Sequence, residues 1–377
     1  MATFSLKSLS ELENKVKDFS TDISLIFCTK IGEGTSASIF KYELKGDPVA
    51  VKIFKHSLSK KKTLQVADKL RKLVCPHLVV FRGYSLRPSA LIFDFCGVNV
   101  GDECVNNVSQ MIKIFNENDH YVLNERLDII KQATLGLKTL HHFGIVHTDF
   151  KPSNLLVTGT LNKLCVKLTD FDDLSLIQET IHATLTNKPF LLGMTLAYTA
   201  PEICKQEVKS PSFKSDIYSW SMSAYEVLSG YESPWVKIIP ILNDSLLIEA
   251  LSRDKRPNIN DLNQFYTFND ETWVFKMICN AWDKNPEVRK DIDKILKTLN
   301  KDRRSKQAIK PKQEAKNYPL NERRQLTQKK TRCFQNEKAE KFYQSKSDPE
   351  NLEKKIINDY KGKLAKKAIY LIYEITI

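Results

Sequence analysis

The run His147-Thr148-Asp149-Phe150-Lys151-Pro152-Ser153-Asn154 gathers a candidate base (Asp149), a cation (Lys151) and a metal-capable amide (Asn154) within eight residues. A second acidic cluster, Asp170-Phe171-Asp172-Asp173, follows one short hairpin downstream. Taken alone, a His-x-Asp in a loop is usually a turn with a satisfied histidine, so the case depends on what else the chain supplies. Lys52 stands inside the alternating, β-branched run Val49-Ala50-Val51-Lys52-Ile53-Phe54. Ahead of it, Gly32-Glu33-Gly34-Thr35-Ser36-Ala37 offers bare backbone amides that can approach phosphate groups. By itself that turn reads better as an ordinary glycine hairpin.

The elements that must position these residues are legible from periodicity. Leu25–Ile31, Ser38–Leu44 and Val49–Phe54 read as a three-stranded meander with turns at Gly32–Ala37 and at Lys45-Gly46-Asp47-Pro48. Lys60–Leu73 reads as a basic helix with Leu64, Ala67, Leu70 and Leu73 on one stripe, and strands follow near Leu78–Leu86 and Ser89–Phe95. After Gly97 the pattern turns helical. Leu127–Leu140, Ser215–Leu228, Thr272–Trp282 and Asp291–Leu299 are expected helices, and Leu155–Val157 with Leu164–Leu168 a short hairpin. Residues 1–22 are polar and mildly helical, with no role evident, and the chain has no internal repeats.

Composition sets the class. A chain of 377 residues with 42% hydrophobic and 27% charged residues can bury a large core. Its eight cysteines, at positions 28, 75, 96, 104, 165, 204, 279 and 333, form no C-x-x-C pair, which argues against a zinc site or a disulfide framework. Met1–Lys7 has no apolar core of signal-peptide length, and no run approaches the roughly 18 apolar residues of a membrane span, so a cytoplasmic or nuclear setting is expected. The net charge of +13 is uneven: residues 301–377 hold 21 basic and 10 acidic residues, against 37 and 35 in the remainder. Residues 301–346 read as a disordered or weakly helical linker, and Leu352, Ile356, Tyr360, Leu364 and Ala368 fit a final amphipathic helix. Such a tail is most simply a solvated basic extension, and it could also attract an acidic protein, nucleic acid or an acidic membrane surface.

In this order and register the pieces resemble the eukaryotic protein kinases over roughly residues 25–300, of the Ser/Thr type and its tyrosine-kinase-like group. The resemblance implies an α+β, bilobal protein-kinase fold: a small five-stranded β lobe with one helix and a larger, mainly helical lobe, plus a basic C-terminal tail. It divides the chain into an extension (1–22), a kinase domain (23–300, split 23–96 and 97–300) and the tail (301–377). It implies transfer of the γ-phosphoryl group of ATP, with Mg²⁺, to hydroxyls of a protein substrate. By that resemblance Ile31, Gly32, Gly34, Ile39, Ala50, Lys52, Phe93, Asp94, Cys96 and Leu156 contact ATP, with Lys52 at the α- and β-phosphates, Phe93 as gatekeeper and the backbone of Asp94 and Cys96 at the adenine. Asp149 accepts or orients the substrate proton, Lys151 neutralises the γ-phosphate, and Asn154 and Asp170 hold Mg²⁺. Glu202 pairs with Arg289, and Asp216 anchors the catalytic-loop backbone beneath a packing column of Leu70, Phe81, His147 and Phe171.

Four positions depart from the family pattern. The helix after Lys52 carries Val66 where a glutamate is expected, and its only acid, Asp68, lies about 200° round the helix from that position. Asp172 replaces the glycine after Asp170-Phe171, Thr148 the arginine before Asp149, and Ala37 a loop-tip glycine. The retained phosphate- and metal-facing residues favour an enzyme, and the lost orienting ones favour a pseudokinase scaffold acting through protein contacts. Thr148 cannot make the charge-assisted bonds with which an arginine holds a phosphorylated activation loop. Loop phosphorylation should therefore not be the on-switch. Replacing Thr184, Thr186 and Thr195 singly by valine and finding activity abolished through loss of a phosphate would overturn this.

Overall fold

Three strands, β1 (Thr29–Glu33), β2 (Ala37–Leu44) and β3 (Asp47–Phe54), form the expected meander, with the β2–β3 turn at Lys45-Gly46 in the left-handed region (φ 55° and 90°). Strands β4 (Phe81–Leu86) and β5 (Ser89–Asp94) complete an antiparallel sheet of order β1-β2-β3-β5-β4. This register puts Lys52 in the middle of the sheet, opposite Ile39 on one side and Leu91 on the other. The computed structural model describes residues 16–21, 28–34, 36–117, 123–171, 195–208, 210–239, 243–264 and 273–301. All of them belong to one compact unit, residues 1–313. Leu25–Phe27, Asp172, Asp173, Thr184, Thr186 and the tail with its expected terminal helix lie outside the described residues.

Helix α1 (Lys60–Leu70) starts at Ser59, whose hydroxyl accepts the Lys62 amide, and buries Leu64, Val66, Ala67 and Leu70. It is one turn shorter than its apolar stripe suggests. Lys72 and Leu73 donate to the carbonyls of Lys69 and Leu70, a tighter i→i+3 winding, and Leu73 is buried beyond the helix end. Residues 16–21, which have no role at the level of sequence, run beside β4 and form a parallel bridge from Asp18 to Tyr84.

The segment after Gly97 is not purely helical, which corrects the expectation. A hairpin, β6 (Val98–Val100) and β7 (Glu103–Val105), turns at Gly101 (φ 59°) before the first helix. The Val98, Val100 alternation followed by Gly-Asp was its signal. Next come α2 (Val108–Glu117), unanticipated although Val108, Met111, Ile112 and Phe115 form a helical stripe, and α3 (Leu123–His142), longer at both ends than expected. The hairpin of β8 (Leu155–Thr160) and β9 (Lys163–Leu168) follows as anticipated. Then come the short α4 (Pro201–Cys204) and α5 (Phe213–Ser229), a core helix with a Ser212/Ser215 capping box and Gly230 in the left-handed cap. Last are α6 (Asp244–Ser252, also unanticipated), α7 (Trp273–Ala281) and α8 (Ile292–Lys301). Among the described residues, Cys75, Cys96, Cys104, Cys165, Cys204 and Cys279 carry free thiols.

Two sutures join the sheet lobe to β8 and β9. On one side the Leu168 amide donates to His77 O (2.9 Å) and the Val79 amide to Leu168 O (3.0 Å). On the other the Val157 amide donates to Asn106 O (2.9 Å), while Asn106 Nδ2 donates to Cys96 O (2.7 Å). In the helical lobe Arg289 and Glu202, both buried, form the expected pair in a two-pronged geometry, Nη1 to Oε1 and Nη2 to Oε2 at 2.7 Å each. Arg289 also donates to Asp283 O and Lys214 O, so one guanidinium ties α4, the start of α5 and the turn before α8. Arg289→Met should leave Glu202 buried and unpaired and lower the unfolding free energy by about 3–5 kcal/mol. Urea unfolding checks this, and a loss well under 1 kcal/mol would mean that the pair does not hold these elements together.

Candidate active site

The loop His147–Asn154 is suspended from the first turn of α5. The buried Asp216 carboxylate accepts the His147 amide (2.7 Å) and the Thr148 amide (2.9 Å), and the His141 ring approaches it at 2.9 Å. The His147 ring reaches Thr169 O through Nε2 (2.8 Å) and meets the Asp149 amide at Nδ1 (3.3 Å). His147, Phe171 and Leu70 are buried as the expected column requires, and Phe81 is half-buried. Thr148 has φ 71°, a left-handed conformation that β-branched residues rarely adopt and that costs on the order of 1–3 kcal/mol. Asp216 holds it there by binding two successive amides.

Within the loop the candidate side chains converge. Asp149 Oδ2 accepts Lys151 Nζ (2.5 Å) and Asn154 Nδ2 (3.2 Å), and Oδ1 accepts the Thr195 amide (3.1 Å). Lys151 Nζ also donates to Thr195 Oγ1 (2.6 Å), and Asn154 Nδ2 to Asp149 O (2.8 Å). Thr195 thus closes the cluster from the far side of the undescribed residues 172–194. The Thr169 amide donates to Asn154 O (3.0 Å), which sets the next residue, Asp170, beside the loop.

Asp170 (φ 63°) and Lys52 meet at 2.7 Å, through Oδ1. Burial pushes the Asp170 carboxyl up, but the charge and hydrogen bond of Lys52, with His147 and Lys151 nearby, hold it below the usual carboxylate range. Val66 is buried, and Asp68 is engaged by Arg71 (2.5 Å) and Lys72 (2.7 Å), so α1 sends no carboxylate to Lys52.

The glycine turn is braced by Gly34 N–H donating to Ala37 O (2.8 Å). Glu33 collects Lys55 (2.5 Å), Ser38 (3.0 Å) and Lys30, and these bonds lower its carboxyl to about 2. A Cβ on Gly32 or Gly34 would meet only ordinary contacts at 3.5 and 3.4 Å, so packing does not demand either glycine. Below the turn, Ile39, Ala50 and Leu156 are half-buried, Ile31 is exposed, and the buried Phe93 packs edge-on to Phe81 (5.6 Å between centroids). The Asp94 amide already donates to Val80 O (2.9 Å), and burial pushes the Cys96 thiol up to about 11.

Sequence reasoning passed over one hydrogen-bonded pair here. The hydroxyl of the half-buried Tyr198 donates to Oε2 of the buried Glu226 (2.5 Å). Desolvation lifts the Glu226 carboxyl to about 8. A carboxylate in the otherwise apolar stretch Ala224–Leu228 was the available signal.

Residues 26–310 match the family model described as Protein kinase domain. Among relatives, a probable serine/threonine-protein kinase of Dictyostelium discoideum is 29% identical over 72% of this chain and 19% of its own length. A second from that organism, gdt2, is 27% identical over 78% of this chain and 16% of its own length. The dual specificity protein kinase shkB, also from Dictyostelium discoideum, is 26% identical over 71% of this chain and 38% of its own length. The chain thus spans well under half the length of these relatives.

The Glu226 shift has a defined pH consequence. A carboxyl whose folded pKa is raised binds its proton more tightly in the native state, so its contribution is fully present below the unfolded value and is lost as pH rises toward about 8. Glu226→Gln, which keeps an acceptor for Tyr198, should flatten the decline of thermal stability between about pH 5 and 8. Melting curves across that range check it, and an unchanged pH profile would show that Glu226 is not the titrating group.

Proposed function

This chain belongs to the protein kinase family, and from that premise we propose that it is an ATP-dependent protein serine/threonine kinase. The observation that carries the reading is the convergence of Asp149, Lys151, Asn154 and Thr195 beside the Lys52–Asp170 pair. Phosphoryl transfer asks a protein for alignment and charge neutralisation more than for covalent chemistry, and this donor set is of that kind. Asp149 is the base that takes or orients the proton of the substrate hydroxyl. Lys151, already bound to Asp149 and Thr195, places a positive charge where the γ-phosphate of ATP would develop charge. Lys52 serves the α- and β-phosphates. The turn Gly32–Gly34, braced by the Gly34 amide on Ala37 O, covers the phosphates, and Ile31, Ile39, Ala50, Phe93 and Leu156 sandwich the base. Because the Asp94 amide is taken by Val80, the adenine would be met by the Asp94 carbonyl and the Cys96 amide.

The residues present suit Mg²⁺. Lys52 holds Oδ1 of Asp170, and Asn154 directs its Nδ2 to Asp149; the other carboxylate oxygen and the amide oxygen are hard ligands of the sort Mg²⁺ accepts. When bound, Mg²⁺ would neutralise charge on the phosphates. The contact of Lys151 with Thr195 supports Ser/Thr over Tyr substrates, and the finer placement in the tyrosine-kinase-like group remains part of this proposal. The kinase domain is taken as residues 23–300. The basic tail, 301–377, is a contact for an acidic protein, nucleic acid or an acidic membrane surface.

One observation favours a second reading, a pseudokinase scaffold: α1 supplies Val66 and an internally paired Asp68 where a partner for Lys52 is expected. Transfer of ³²P from labelled ATP to a generic protein substrate separates the two. Asp149→Asn should lower transfer by about 10²–10⁴-fold, with Lys52→Met as a second loss-of-function control. Equal transfer by the parent chain and Asp149→Asn would sink the enzyme reading.

A further inference from the structure

The segment 16–21 is built into the sheet edge. The Phe19 amide donates to Tyr84 O (2.8 Å), the Tyr84 amide donates to Lys17 O (3.1 Å), and the Leu86 amide donates to Ser20 Oγ (2.8 Å). Asp18 Oδ1 accepts both the amide and the hydroxyl of Ser20, fixing the turn that ends the segment. Its two buried apolar side chains go to different clusters. Phe19 joins Val49, Val51, Ala90 and Ile92 on one face of the sheet. Val16 joins the main core, to which β4 contributes Tyr84 and α1 contributes Leu64, Val66 and Leu70.

Gly83, in the middle of β4, is matched to this segment. A Cβ there would lie 2.4 Å from Lys17 O and 2.7 Å from the Phe19 ring. Gly83 is not among the positive-φ glycines, so its backbone makes no demand for glycine; the passing segment does. Helix α1 packs on β4 and offers Lys52 no carboxylate, so its seat is fixed by apolar packing rather than by an ion pair to β3.

We propose that residues 16–21 are a positioning strap: by clamping the outer edge of β4 they hold α1 in place and, through the core shared by α1 and the sheet, keep Lys52 aligned for nucleotide. The nucleotide half of this rests on the kinase reading given above; the strap's hold on α1 does not. Without the strap, β4 becomes a bare edge, and the strand that seats α1 loses its backbone partners on that side.

The test uses the full-length chain and two variants that release the strap from opposite sides. Gly83→Ala pushes against Lys17 and Phe19, and Phe19→Asp puts a charge into the cluster that the ring fills. Each should speed hydrogen exchange of the α1 amides by about tenfold and weaken Mg·ADP binding several-fold, and the double variant should do no more than either alone. Ser212→Ala, which removes the cap of α5 in the other lobe, is a destabilised control and should leave α1 exchange unchanged. The proposal is overturned if α1 exchange stays at the parent rate while the Phe19 and Tyr84 amides become unprotected. Additive effects of Gly83→Ala and Phe19→Asp also overturn it, since they would place the cause in the sheet itself. If the parent chain binds no Mg·ADP, the kinase reading fails, and α1 exchange alone decides the strap.

Discussion

The buried carboxylate of Asp216 is the constraint on which the rest depends. It takes two successive amides, from His147 and Thr148, and draws in the His141 ring, so a loop that would otherwise relax is held in one shape. Thr148 could not remain at φ 71° without such an anchor. From that fixed point the geometry propagates outward. The His147 ring locks onto Thr169, which sets Asp170, and the loop's far end closes on itself through Asn154 and Asp149. Asp216 is in turn carried by α5, whose stretch from Ser215 to Ser229 is buried throughout and whose start is tied to Arg289. The site is thus as stiff as the core helix beneath it.

Elsewhere the chain uses packing where charge might have served. Asp68 is drawn to Arg71 and Lys72 on its own helix, Val66 is buried, and the salt bridge of Lys52 comes from Asp170, a residue of the opposite lobe. Apolar packing is not directional, so it tolerates small shifts that an ion pair would resist. That difference makes the supports of α1 matter more than its own sequence suggests.

Much of this was readable from residues alone, for identifiable reasons. The sheet strands alternate, the α1 and α3 stripes repeat at helical spacing, and Glu202 and Arg289 stand at family positions where a buried pair forms. What escaped was set by tertiary context. The β6–β7 hairpin is only three residues a side, below the length at which alternation is convincing. The short segment 16–21 has no periodic pattern because it is held by its backbone, the Ser20 hydroxyl and two apolar side chains, and its clearest trace, Gly83, lies in another strand. The Tyr198–Glu226 bond joins residues 28 apart in sequence, and a lone carboxylate among apolar neighbours marks Glu226 without naming its partner.

The two sutures between the lobes carry a consequence for motion. Leu168 grips His77 and Val79 on one side, and Asn106 grips Cys96 and Val157 on the other. A body pinned to another at two separated points keeps one easy rotation, about the line that joins them, while sliding and splaying must break backbone hydrogen bonds. Any rotation of the sheet over β8 and β9 that keeps both sutures intact is confined to that line. The Lys52–Asp170 contact bridges the two sides that such a rotation would move.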